Sequence, residues 1–183
     1  MSDPFIIALV GISGVGKTTF LKKLSSQLDF QHLTAGSLIA RARDAGEQRR
    51  DRLRLSDIDE NQQLLVEGFD LSCNHSASHI ILDGHCIIHN DLGVQRIDSQ
   101  VFSELGVRLI AHLEAKPQQV QINRSSDLAR DRPLLELDEL DAHQTLSLAH
   151  AQDIASELKI DFRQLKHSDL DVLMEVILTN QQR

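Results

Sequence analysis

Short apolar runs alternate along this chain with longer segments in which apolar residues recur at helical spacing. The runs predict strands at residues 5–10, 30–33, 79–83, 107–113 and 160–165. The segments between them predict helices at residues 17–28, 37–45, 57–74, 99–105, from Pro117 onward, at 137–158 and at 168–178, the last capped by Ser168. Strands that alternate with helices predict an α/β fold, a parallel sheet with helices on both faces.

Length and composition indicate a single domain. The chain has 183 residues, of which 41% are hydrophobic and 25% charged, and no repeat, low-complexity stretch or linker divides it. A chain of this length supports one hydrophobic core of ordinary size. We therefore predict one domain over residues 1–183.

The charge balance is acidic, with 27 Asp and Glu against 19 Lys and Arg and a net charge of −8. General binding of nucleic acid or an anionic membrane rests on neutralising phosphate charge, so neither partner is expected. No run reaches the roughly 18 apolar residues of a membrane span. Two cysteines form no disulfide framework, and we expect a cytoplasmic protein. The sequence leaves the oligomeric state open.

Residues 11–18 carry the strongest chemical signal. They read Gly-Ile-Ser-Gly-Val-Gly-Lys-Thr, the phosphate-loop pattern G-x-x-x-x-G-K-[ST], between a buried strand and a helix. Glycines let the backbone wrap around phosphates with its N–H groups inward. Lys17 is expected to reach the β- and γ-phosphates, Thr18 to offer a hydroxyl to Mg²⁺, and Thr19 to support the loop or contact the α-phosphate. The predicted nucleoside-triphosphate site comprises Gly11, Gly14, Val15, Gly16, Lys17, Thr18 and Thr19.

An acidic residue and two groups of arginines complete the candidate chemistry. Asp83 ends a strand, where phosphate-loop proteins hold Mg²⁺ or its water shell, although a strand-terminal Asp also acts as a cap. A kinase needs arginines to screen the transferring phosphoryl group. The first group is Arg41, Arg43, Arg49, Arg50, Arg52 and Arg54, and the second is Arg124, Arg130 and Arg132. Because acidic residues are interleaved with the first group, we keep only Arg41 and Arg54 from it.

Cysteines and histidines at positions 73, 75, 85, 86 and 89 do not predict a zinc site. Their spacing lacks the tight Cys-x-x-Cys or His-x-x-x-His units of metal sites. Cys73 and Cys86 are expected to be small buried residues. His85 is either a phosphate or water contact near the acceptor or a structural histidine.

Several stretches resemble one family when taken in order. They are the phosphate loop, Asp83-Gly84-His85 at a strand end, Leu113-Glu114-Ala115-Lys116-Pro117 followed by Arg124, Leu53-Arg54 before Asp57-Ile58-Asp59, Ala129-Arg130-Asp131-Arg132, and the helix start at residues 140–144. Over nearly the whole chain they resemble nucleoside monophosphate kinases, and in detail the archaeal-type adenylate kinases.

The resemblance implies a five-stranded parallel sheet, with ATP and Mg²⁺ at the phosphate loop. It also implies AMP, or another nucleoside monophosphate, between residues 34–76 and the core. Arg54 would contact the acceptor phosphate, with Arg41 and His85 as further substrate-binding candidates. A short lid at residues 124–133 would close, and its arginines, Arg124, Arg130 and Arg132, would contact the transferring phosphoryl group.

The chain departs from the family pattern at two places. Residues 34–37 read Thr-Ala-Gly-Ser where many adenylate kinases have Thr-Gly-Asp, and near residues 89–93 the nearest arginine for reading a base is Arg96. The leading prediction is ATP-dependent phosphoryl transfer to a nucleoside monophosphate, with AMP as the first candidate. Two alternatives stay open: an ATP-binding or slowly hydrolysing switch that acts through a partner, and a small-metabolite kinase.

Overall fold

Five parallel strands form the central sheet of the computed structural model, which describes residues 3–45, 60–90, 93–126 and 135–180. Along the chain the strands are β1 (Phe5–Val10), β2 (Gln31–Thr34), β3 (His79–Asp83), β4 (Ile87–Asn90), β5 (Gly93–Arg96), β6 (Val107–Glu114) and β7 (Asp161–Lys166). The central sheet has the order β2-β3-β1-β6-β7, and β4 pairs with β5 as a separate antiparallel hairpin. The prediction of an α/β fold with a five-stranded parallel sheet is confirmed.

Helices cover both faces of the central sheet. They are α1 (Lys17–Ser25), α2 (Ala35–Ala45), α3 (Glu60–Asp70), α4 (Ser99–Glu104), α5 (Pro117–Ser126), α6 (Leu137–Leu158) and α7 (Leu170–Asn180). None of the helices in the described ranges is long and apolar enough to cross a membrane.

The middle strand, β1, is buried along its whole length. Successive side chains of a strand point to opposite faces, and those of β1 enter two different hydrophobic clusters. Ile6 and Val10 pack in a cluster with α2, α3 and α4, whereas Ile7 and Leu9 pack in a cluster with α1, α5 and α7. The residues after Val10 therefore follow a strand whose two faces are both packed against hydrophobic clusters.

The ends of several helices differ from the prediction, and the helix predicted to reach residue 74 ends at Asp70. The helix predicted to reach residue 28 ends at Ser25. The last helix begins at Leu170, so Ser168 is not its cap. The reason is local: the Asp169 carboxylate accepts hydrogen bonds from the Lys166 N–H at 2.8 Å and from the Ser168 hydroxyl at 2.7 Å, which commits the serine to a turn before the helix.

The β4–β5 hairpin is an element that the periodicity did not predict. Each of its strands has four residues, too few to show a clear alternation. Ile87 and Ile97 anchor its base in the cluster of α2, α3 and α4, and the Ile97 N–H donates to the Cys86 carbonyl at 2.9 Å. Three residues separate the end of β3 from the start of the hairpin, which therefore stands beside that end of the sheet.

Helices α2 and α3 pack in close backbone contact at Gly68. A Cβ atom at this position would overlap the backbone carbonyl of Leu38. The contact explains why a helix interior contains glycine, a residue that costs about 0.5–1 kcal/mol there relative to alanine. It also joins the two described helices of residues 34–76, whose role as a monophosphate-binding region stays a prediction.

Candidate active site

The phosphate loop connects β1 to α1 and depends on glycine for its path. Gly14 and Gly16 have φ values of 91° and 96°, in the left-handed region that a β-carbon disfavours. A Cβ at Gly14 would also lie 2.7 Å from the Cγ atom of Arg124. Helix α1 begins at Lys17, directly after Gly16, so the positive end of its dipole adjoins the loop.

Side chains from outside the loop bind its carbonyl groups. Two of them come from the last turns of α5 and one follows the end of β7. In a trans peptide unit the N–H points away from the C=O, so a carbonyl held outward directs the next amide toward the interior of the loop. The bonds are Arg124 Nε to Ser13 O, Asn123 Nδ2 to Gly14 O and His167 Nε2 to Val15 O, each 2.8 Å long.

Lys17 lies at the centre of the charged groups, and its side chain is only 8% exposed. Its Nζ atom donates to Gly11 O at 3.0 Å and lies 3.8 Å from Asp83 Oδ1. The other carboxylate oxygen, Oδ2, lies 3.8 Å from His32 Nε2. The second hydrogen bond to Gly11 O, at 2.7 Å, comes from His85 Nδ1. The ammonium, the carboxylate and both imidazoles thus converge where β1, β2 and β3 end.

A cavity of about 690 Å³, here called the loop cavity, opens in front of these groups. It brings together five of the seven residues predicted for the nucleoside-triphosphate site, together with Asp83 and His85. The exposed hydroxyl of Thr18 and the carboxylate of Asp83 both line it, and hard oxygen ligands of this kind suit Mg²⁺, which takes its remaining ligands from water and phosphates. Among the described residues no three His, Cys, Asp or Glu side chains form a metal-binding group. The predicted residues in its lining are Gly14, Gly16, Lys17, Thr18, Thr19, Asp83 and His85.

A second cavity, of about 650 Å³, lies between α5 and the end of β7 and is called the α5–β7 cavity. It shares Gly16, Thr19 and Asn123 with the loop cavity. A ligand can therefore extend from one cavity into the other past these residues. Its lining includes His167, whose ring packs edge-on against Phe20 with centroids 6.1 Å apart. The arrangement suits a long ligand with phosphates at one end and a base at the other.

A third cavity, of about 530 Å³, lies between α3, α4 and the hairpin and is called the α3–α4 cavity. It shares Ala35, Asp83, Gly84 and His85 with the loop cavity. Most of its wall is apolar, from Ile39, Leu65, Leu82, Ile88, Val101, Phe102 and Leu105. The polar part includes Gln62 and Arg96, the arginine that the sequence placed nearest to this region. The two substrates of a transfer reaction could meet at the shared residues.

A buried polar cluster lies behind Lys17. His112 is fully buried, its Nε2 lies 3.0 Å from Ser147 Oγ, and the Cys86 thiol donates to Ser147 O at 3.3 Å. Burial, and next to it the positive charge of Lys17, lower the pKa of His112 to about 4. Burial likewise raises the pKa of the Cys86 thiol. The cluster is therefore neutral near pH 7. Cys73, by contrast, is only partly buried.

The remaining predicted residues fall into two groups. Arg124 reaches the phosphate loop, whereas Arg41 is exposed on α2 and lines none of the three cavities. Arg54, Arg130 and Arg132 lie outside the described residues, as does most of the predicted lid. The roles given to all of these residues stay predictions.

Three residues of the site were not found from the sequence. Asn123 and His167 bind the phosphate loop, and His32 faces Asp83. One signal was available for His167, because it follows directly after β7 and ligands of open α/β sheets bind beyond the carboxyl ends of the strands. Asn123 stands next to a recognised arginine but belongs to no motif.

Comparison with known families decides the class of this protein. The family model described as AAA domain (AAA_17) matches residues 10–141, which is more than half of the chain. The chain belongs to the AAA domain family. This AAA domain protein is also similar to curated archaeal adenylate kinases. It is 28% identical to the adenylate kinase of Methanothermobacter thermautotrophicus over 160 residues, covering 82% of this chain and 84% of the relative. It is likewise 28% identical to that of Pyrococcus furiosus over 154 residues, covering 81% and 79%.

Solved structures share the fold of this AAA domain protein. A shikimate kinase from Acinetobacter baumannii superposes with a TM-score of 0.54 at 15% identity, covering 98% of this chain and 96% of that one. A sugar kinase from Janibacter superposes with a TM-score of 0.51 at 19% identity, covering 96% and 93%. The resemblance found in the sequence is confirmed, and the comparisons support a phosphate-loop kinase that binds nucleotide.

Proposed function

We propose that this protein transfers the γ-phosphoryl group of ATP to a nucleoside monophosphate, with AMP as the first candidate acceptor. The observation that carries the proposal is the α3–α4 cavity, which has apolar walls and opens into the loop cavity at Asp83, Gly84 and His85. A nucleobase has two apolar faces and one polar edge, which matches such walls, and its phosphate would lie at the open end. The cavity volume of about 530 Å³ is within the range of small-molecule sites.

The same walls argue against a small polyhydroxylated acceptor. Each hydroxyl that such a molecule buries needs a hydrogen-bond partner, and side chains such as Leu65, Val101 and Phe102 offer none. Gln62 contributes a carboxamide to the lining, and carboxamides pair with the amino edge of adenine. The similarity to archaeal adenylate kinases supports the same choice of acceptor.

In this reaction the protein aligns two anions and screens their charges. The inward amides of the phosphate loop would bind the donor phosphates, and Lys17 would exchange its bond with Gly11 O for the β- and γ-phosphates. Thr18 and Asp83 would hold Mg²⁺, which would supply positive charge to screen the phosphates. An acceptor phosphate oxygen is already anionic, so the reaction needs no general base from the protein.

Arginines would complete the screening of the phosphoryl group. Arg124 is already bound to the phosphate loop through Nε. We propose that Arg130 and Arg132 join it when the lid closes, and that Arg54 binds the acceptor phosphate. Closure would also expel water and so strengthen each of these charged contacts.

The test is a coupled assay of ATP with AMP, CMP, GMP, UMP, gluconate and shikimate. We expect ADP formation that depends on a nucleoside monophosphate and is fastest with AMP. Lys17→Ala should abolish turnover without unfolding the protein, whereas Lys22→Ala, a change of an exposed lysine on the same helix, should not. ATP turnover that ignores every acceptor would indicate a switch, and transfer only to gluconate or shikimate would indicate a metabolite kinase.

A further inference from the structure

The carbonyl groups of the phosphate loop are bound by side chains that do not belong to the loop motif. Asn123 and His167 come from distant parts of the chain, yet each donates a 2.8 Å hydrogen bond, to Gly14 O and Val15 O respectively. Both side chains are partly buried, so water competes less with these bonds than it would at an open surface. Neither bond occupies an amide N–H of the loop.

These two bonds determine which way consecutive peptide units face. When Gly14 O and Val15 O point outward to Asn123 and His167, the N–H groups of Val15 and Gly16 point away from those side chains. The Val15 N–H closes a turn on Ile12 O at 3.2 Å, a long bond that a phosphate oxygen can replace. An anion then finds its donors already oriented, and less conformational entropy is lost when it binds.

We propose that Asn123 and His167 are positioning residues for the donor phosphates, acting through the carbonyl groups of Gly14 and Val15. The proposal deepens the proposed function and rests on its nucleoside-triphosphate site, but not on the identity of the acceptor. The two residues also line the α5–β7 cavity, so a direct contact with the donor base is the competing explanation. Loss of a positioning residue weakens the binding of phosphates whether or not a base is attached. Loss of a base contact weakens the binding of those ligands that carry the base.

The chain offers matched variants for each bond. His167→Phe keeps a ring against Phe20 but removes the donor, while His167→Gln keeps an amide donor near the position of Nε2. Asn123→Leu removes the second donor at similar volume. Ser125→Ala is the control on α5, because the Ser125 hydroxyl is exposed and donates to its own helix, to Gln121 O at 2.9 Å.

The experiment measures binding of three probes by calorimetry in the presence of Mg²⁺: ADP, tripolyphosphate and adenosine. A lost hydrogen bond of this kind changes affinity by about tenfold to a hundredfold. We expect His167→Phe and Asn123→Leu to weaken ADP and tripolyphosphate by that factor and to leave adenosine unchanged. His167→Gln should recover most of the loss, and Ser125→Ala should bind like the wild type. In turnover, the KM for ATP should rise while that for the acceptor stays constant.

Three results with the variants would overturn the inference. Loss of adenosine binding in parallel with ADP would show that the residues contact the base. Unchanged binding of ADP and tripolyphosphate in folded variants would show that the loop holds its shape without them. Failure of His167→Gln to recover would remove the hydrogen bond as the cause. A wild type that binds ADP as expected but phosphorylates no nucleoside monophosphate would overturn the proposed function alone, and one that binds neither ADP nor tripolyphosphate would overturn both.

Discussion

Acidification should destabilise this protein through His112, a histidine that the fold keeps neutral. The ring is fully buried, and its pKa falls from 6.5 to about 4, chiefly because of burial and further because of the charge of Lys17. Between these two values the unfolded chain binds a proton that the folded protein does not. The free energy of unfolding therefore decreases as the pH falls below 6.5 and levels off below about 4.

The size of the effect follows from the two pKa values. One pKa unit corresponds to about 1.4 kcal/mol, so the full loss from His112 is about 3 kcal/mol. Between pH 7 and pH 5 the loss is about 2 kcal/mol. For a urea m-value of about 2 kcal/mol per molar, the midpoint of unfolding would move by about 1 M. Burial also lowers the pKa of His79 and His143. On acidification the free energy of unfolding of the wild type should therefore decrease by more than the contribution of His112 alone.

The variant His112→Gln isolates that contribution. Its amide can still reach Ser147 Oγ, which His112 Nε2 contacts at 3.0 Å, but it does not titrate. Urea unfolding at pH 7 and pH 5 should show a loss about 2 kcal/mol smaller in the variant than in the wild type, whatever the variant's stability at pH 7. His75→Gln, at an exposed histidine, should retain the wild-type loss. Equal losses in His112→Gln and the wild type would refute the reasoning.

Three further substitutions test the backbone contacts and the proposed metal site. Gly68→Ala should lower the free energy of unfolding by about 3 kcal/mol, measured with urea, because its Cβ meets the Leu38 carbonyl. Gly14→Ala should leave the protein folded but weaken ADP binding at least tenfold in calorimetry, because the φ of Gly14 is 91° and a Cβ there would clash with the Arg124 side chain. Full affinity for ADP would contradict this. Asp83→Asn should lower kcat about a hundredfold and raise the Mg²⁺ concentration needed for half-maximal rate, with no such effect from Asp70→Asn at an exposed site.

The strands and the phosphate loop could be predicted because each depends on residues that are close in sequence. The run from Phe5 to Val10 is apolar throughout since both faces of β1 are buried, and the glycines after it occupy left-handed conformations. The bounds of α6 were predicted correctly, because its apolar spacing continues over 22 residues. The β4–β5 hairpin was not predicted, because strands of only four residues are too short to show a clear alternation.

The hydrogen bonds that hold the phosphate loop could not be predicted, because they join residues far apart in sequence. Asn123 and His167 meet the loop from positions 109 and 152 residues away, and only the folded sheet brings them there. Arg41 is the opposite case, and its role in substrate binding stays a prediction. Its charge and place in the sequence suggested a substrate contact, but whether a helical residue faces a cavity depends on the rotation of the helix, and Arg41 is exposed outside all three cavities.

The strand order has a consequence for how such an enzyme can diverge. In the order β2-β3-β1-β6-β7 the phosphate loop leaves the middle strand, with the α5–β7 cavity toward β6 and β7 and the α3–α4 cavity toward β3 and β2. Among the residues that the structure describes, the two cavities have no lining residue in common. Under the proposed function, in which the α3–α4 cavity binds the acceptor and the α5–β7 cavity the donor base, natural or laboratory selection can therefore remodel α2, α3 and the hairpin for a new acceptor while the donor half is inherited unchanged. Libraries for a new acceptor preference should be confined to that half of the molecule.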